Sequence, residues 1–68
     1  MENKEAFVYE LGELLRKYGV ENVQALKYEK SKTLEVVTIT FCDGYQFGVD
    51  VSMDSYAAIV RDVMKALY

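Results

Sequence analysis

From Leu34 to Val51 the chain reads LEVVTITFCDGYQFGVDV, two alternating apolar and polar runs broken at Cys42-Asp43-Gly44. Asp-Gly between two such runs is a strong hairpin signal. A two-residue loop would pair Cys42 with Tyr45 and divide the large apolar side chains between both faces. A three-residue loop over Cys42 to Gly44 places Phe41 opposite Tyr45, Ile39 opposite Phe47 and Val37 opposite Val49. One face then holds Val37, Ile39, Phe41, Tyr45, Phe47, Val49 and Val51. The other holds Val36, Thr38, Thr40, Gln46, Gly48 and Asp50. A one-residue slip would turn every side chain over, so the buried pattern selects the second register. The turn it predicts is type I with Gly44 left-handed in a G1 bulge.

The flanking segments have other periods. Residues 3 to 18 predict a helix whose apolar stripe is Phe7, Leu11, Leu14, Leu15 and Tyr18, with Asn3 as N-cap and Gly19 just past the C-cap. Its solvent side would carry Glu5, Tyr9, Gly12, Glu13 and Arg16. Residues 23 to 30, VQALKYEK, predict a strand with Leu26 and Tyr28 inward and Ala25, Lys27 and Glu29 outward. After the hairpin, Ser52 or Asp54 is expected to cap a second helix running to the C-terminus. Tyr56, Ile59, Val60, Val63, Met64 and Leu67 would form its apolar face; Asp54, Ala58, Arg61, Asp62 and Lys65 would be exposed.

The order is α-β-β-β-α. A three-stranded antiparallel meander with one apolar face needs a cover, and two amphipathic helices supply one. The expected fold is an α+β two-layer sandwich, both helices on one face of the sheet, in a single domain covering 1–68. Val37, Ile39, Phe41, Phe47 and Val49 are expected under the helices, and Thr38 and Thr40 outside.

This order and length resemble the double-stranded-RNA-binding domain. That family contacts phosphates through a basic cluster opening its second helix. Here the corresponding stretch is SMDSYAAI, with Asp54 and no Lys or Arg before Arg61, so no RNA-binding site carries over. The net charge of −3, from 11 acidic and 8 basic residues, adds to the expectation of no direct nucleic acid binding.

Composition narrows the chemistry further. One cysteine permits no internal disulfide, and the absence of histidine removes Ser-His and Cys-His catalysis and zinc-finger spacing. Cys42 lies in the hairpin loop beside Asp43, with no histidine to activate it. Asp50-Val-Ser52-Met-Asp54 alternates oxygen ligands but lacks the Gly turn and the Glu of a calcium loop, so strand end plus helix cap is the simpler reading. No catalytic residue, metal site or cofactor is expected. No apolar run is long enough for a bilayer, and MENKEAF, with acids where a signal has a basic segment, is not expected to act as one. A cytoplasmic setting without membrane association is therefore expected.

Two surfaces are candidates for partner binding. Tyr9, Gly12 and Arg16 share the expected solvent side of the first helix, where Tyr and Arg suit a contact and Gly permits close approach. Val36, Thr38, Thr40 and Gly48 centre the uncovered face of the sheet, which could meet a protein partner or a second copy in a homodimer. The reading that follows is a small protein-interaction or accessory module without catalytic activity. The alternative is a small acidic phage or mobile-element inhibitor that occupies a nucleic-acid-binding groove, which calls for an acidic face built from Glu2, Glu5, Glu10 and Glu13.

Overall fold

A computed structural model describes residues 3–53 and 55–68. The elements run α1 (Lys4–Lys17), a short turn (Val20–Asn22), β1 (Val23–Lys30), β2 (Glu35–Phe41), β3 (Gln46–Asp50) and α2 (Tyr56–Leu67). The strands form one antiparallel sheet in the order β1-β2-β3. Both helices pack on the same face of it, as the alternation requires.

The hairpin register agrees with the three-residue loop. Ile39 pairs with Phe47 and Val37 with Val49. The Phe41 N–H bonds to the Tyr45 carbonyl at 2.8 Å, and the Gly44 N–H bonds to the Phe41 carbonyl at 2.9 Å. Gly44 has φ +93°, a conformation that costs little only without a Cβ. Asp43 Oδ1 accepts from the Tyr45 N–H at 3.0 Å and holds the loop closed.

One hydrophobic cluster joins the two layers. Val8 and Leu15 come from α1, Val23 and Leu26 from β1, Val37 and Ile39 from β2, Val51 from the end of β3, and Ile59 and Val63 from α2. Tyr56, Met64 and Leu67 of α2 pack against this cluster at intermediate burial. Burying a Val or Ile side chain contributes roughly 1.5–3 kcal/mol, so in a core this small each such residue matters.

Four expectations change. The inward stripe of α1 is Val8, Leu11, Gly12 and Leu15, while Leu14 and Tyr18 are exposed. The helix is turned because Gly12 meets β1: a Cβ there would stand 2.7 Å from the Leu26 backbone nitrogen. Phe47 has the inward parity but is 44% exposed, because it lies on the edge strand and the cluster is centred on β1 and β2. Tyr45 is likewise exposed and leans on the Phe41 ring at a centroid distance of 5.8 Å. The cap of α2 is Ser55, whose Oγ accepts from the Ala58 N–H at 3.2 Å. Ser52 instead accepts the Glu35 N–H at 2.9 Å, and Asp54, the other expected cap, lies outside the described residues.

The N-cap of α1 is Asn3, which accepts from the Ala6 N–H at 3.1 Å. Its C-terminus ends at left-handed Gly19, φ +68°, whose N–H bonds to the Arg16 carbonyl at 3.2 Å. Glu21 and Asn22 are also left-handed, at φ 46° and 61°, and reverse the chain into β1.

Candidate functional site

The uncovered face of the sheet is built in three rows by the two strand registers. Ala25, Thr40 and Gln46 form the first, Lys27, Thr38 and Gly48 the second, and Glu29, Val36 and Asp50 the third. Val36, Thr38 and Thr40 stand on the central strand at intermediate exposure, shielded sideways by their neighbours. Gly48 leaves a notch beside them: a Cβ added there would meet only Val36 Cγ1, at an ordinary 3.5 Å. The sheet thus brings together all four of its expected contact residues, Val36, Thr38, Thr40 and Gly48. Along the central strand this surface carries no charge; Lys27 flanks Thr38 on the β1 side, and Glu29 and Asp50 stand at one end.

The other expected cluster does not assemble. Tyr9 is 62% exposed and Arg16 is exposed on the outer side of α1, but Gly12 is buried against β1. Glycine adds nothing to an apolar period, so its closeness to the strand had no sequence signal beyond the Val8-Leu11-Leu15 spacing. Arg16 pairs with Glu13 at 3.2 Å, and Lys17 follows in the last turn. The outer side of α1 therefore mixes signs around Glu5, Glu10 and Glu13, which does not favour a nucleic-acid mimic. Glu2 lies outside the described residues.

A polar cluster is centred on Glu35, which the periodicity did not single out. Its signal was parity: Glu35 shares the inward side of β2 with Val37, Ile39 and Phe41. The Tyr28 hydroxyl donates a hydrogen bond to Glu35 Oε1. Lys4 Nζ lies 3.3 Å from the same oxygen, and the Met53 N–H bonds to Oε2 at 3.0 Å. The backbone joins in, since the Glu35 carbonyl accepts the Val51 N–H at 2.9 Å. The Tyr28 hydrogen bond, then the Met53 N–H and Lys4, hold the Glu35 carboxyl down at about 2 against an ordinary 4.5. Burial first, and the Glu35 hydrogen bond and charge next, push the Tyr28 phenol up to about 12. A carboxylate held ionised and a phenol held neutral are both poorly placed to exchange protons near neutral pH. The cluster reads as a tie between elements.

At the strand end, Asp50 Oδ1 accepts the Ser52 N–H at 2.9 Å, and this contact lowers the Asp50 carboxyl below its usual range. Asp50 is thus engaged in a turn. Among the described residues no group of His, Cys, Asp and Glu has a metal-binding arrangement. Cys42 is exposed, its Sγ 3.6 Å from Gln24 Oε1. Among the described residues no helix is long and apolar enough to cross a membrane.

Comparison with protein-family models, with curated proteins and with solved structures finds no match to this chain.

Proposed function

We propose that the chain is a small non-catalytic interaction module that binds another protein through the uncovered face of its sheet. The observation that carries this reading is the uncharged row Val36, Thr38 and Thr40 on the central strand beside the Gly48 notch. Small and β-branched side chains allow close approach of a partner surface at little entropic cost. The acidic pair Glu29 and Asp50 at one end calls for a partner that is apolar or neutral over the centre and basic at that end.

A second copy meets this face poorly. Centred on one another with the strands aligned, two such faces place Glu29 over Asp50 if the two-fold axis runs along the strands. They place Lys27 over Lys27 if it runs across them. Axes along the diagonals, which cross the strands instead of aligning them, superimpose Asp50 on Asp50 or Glu29 on Glu29. Like charges across an interface disfavour each arrangement, so the face suits a different protein better than its own copy.

The test begins with capture of the partner from cells of the native host and proceeds with purified components. Thr38→Lys is expected to weaken binding at least about tenfold, because it buries an unpaired charge at the centre of the contact. Tyr9→Ala, on the outer side of α1, is expected to leave binding unchanged. Equal affinity of Thr38→Lys and the wild type would overturn the proposal.

A further inference from the structure

The two edges of the sheet are not equivalent. In β2, the bonds from Phe41 N–H to Tyr45 and from Val51 N–H to Glu35 fix the odd-numbered residues as those that bond to β3. The even-numbered residues bond toward β1, as the Cys42 N–H does to the Asn22 carbonyl at 2.9 Å. In β1 the outward backbone groups therefore belong to Leu26, Tyr28 and Lys30, and α1 lies against that edge at Leu26 through Gly12. In β3 they belong to Gln46, Gly48 and Asp50. Among the described residues nothing accepts from or donates to these three backbone positions, and four of the five residues of β3 are exposed. Phe47 stands beside them with 44% of its surface open.

An open edge is a template for another strand. From the spacing of its free groups we infer that β3 pairs with β3 of a second copy, antiparallel, about a two-fold axis at Gly48. Only residues whose backbone groups point outward can exchange hydrogen bonds, so Gln46, Gly48 and Asp50 must pair among themselves. Pairing Gly48 with Gly48 is the register that uses all five residues. Gln46 then stands opposite Asp50 of the other copy on the uncovered side, so no like charges meet. Phe47 stands opposite Val49 on the helix side, so an exposed ring gains an apolar neighbour. The two sheets become one of six strands, and the uncovered faces join into a continuous surface. This inference uses the edge and stands independently of the partner assigned to the face.

The register makes a charge test specific. Gln46 and Asp50 of one strand are too far apart to pair with each other, so a charge at position 46 feels Asp50 only across the two-fold. Gln46→Lys is expected to tighten the dimer about fivefold and Gln46→Asp to loosen it about fivefold, as two cross-strand pairs change per dimer. Gly48→Pro removes an N–H that has no partner among the described residues and is expected to abolish association. Thr38→Lys is expected to leave it unchanged. Sedimentation equilibrium of the wild type and the four variants, from micromolar to millimolar concentration, measures all of this, with circular dichroism to verify folding. Amide hydrogen exchange adds a readout without mutation: the Gly48 N–H should become protected as the wild-type concentration rises. A wild type that stays monomeric at millimolar concentration would overturn the inference and leave the edge to strand addition from another protein. So would a dimer that Thr38→Lys dissociates, or one indifferent to both charges at position 46.

Discussion

A methyl group added to Gly12 would stand 2.7 Å from the Leu26 nitrogen and 3.1 Å from Leu26 Cβ. The nearest obstacle is backbone, so α1 itself would have to move away from β1. Gly12→Ala ordinarily gains about 1 kcal/mol of helix propensity. Here overpacking, typically about 1–3 kcal/mol, opposes that gain and should exceed it, because a backbone contact cannot rotate aside. Denaturant titration is expected to find Gly12→Ala less stable than the wild type. A more stable variant would show that α1 can lift off the strand without loss. Gly48 gives the contrast at the same scale: an added Cβ meets Val36 at an ordinary distance, and among the described residues no neighbour keeps that site small.

At the scale of the element, the hairpin depends on a left-handed residue at Gly44, and Gly44→Val must hold a β-branched side chain at φ +93°. The expected cost is about 1–2 kcal/mol, or about 5–15 °C in the melting temperature of a domain of this size. An unchanged melting temperature would mean that the loop has an alternative turn of equal energy. This hairpin was also the most legible part of the chain, because a strict period of two and an Asp-Gly turn agree on one register. The rows of Val36, Thr38, Thr40 and Gly48 followed directly from it. The face of α1 was less legible, since its periodic positions admitted both the Leu14-Tyr18 stripe and the Val8-Leu15 one. A glycine contact with the neighbouring strand decided between them. The cap of α2 was ambiguous because Ser52, Asp54 and Ser55 can all cap, and Ser52 is taken by Glu35. Phe47 had the correct parity, but parity says nothing about how far a helix layer extends over an edge strand.

Across the whole molecule, Glu35 is where the layers are fastened at one end. Its carboxylate joins Lys4 of α1, Tyr28 of β1 and the Met53 N–H ahead of α2, while its own N–H reaches Ser52. Nearby, the Tyr56 hydroxyl accepts the Asn3 N–H at 2.7 Å, and its ring lies 4.6 Å from that of Phe7, so the helix starts are joined as well. The fastening should be visible as a pH dependence. The Glu35 carboxyl is lowered from 4.5 to about 2 in the folded chain, so folding favours the ionised form. Its contribution is complete above pH 4.5 and is lost as pH falls through about 2. Tyr28 is raised from 10.0 to about 12, so its contribution is complete below pH 10 and is lost as pH rises through about 12. Glu35→Gln keeps the shape and removes the charge. At pH 7 it should be less stable than the wild type, and in urea titrations at descending pH the gap should close progressively below pH 4.5 and nearly vanish by about pH 2. Tyr28→Phe removes the hydrogen bond that does most to lower the carboxyl, so it should move the acid limb of the stability profile to higher pH. A gap between wild type and Glu35→Gln that stays constant from pH 7 to pH 2 would mean that Glu35 acts through its shape and backbone bonds alone, and that its charge does not hold the layers together.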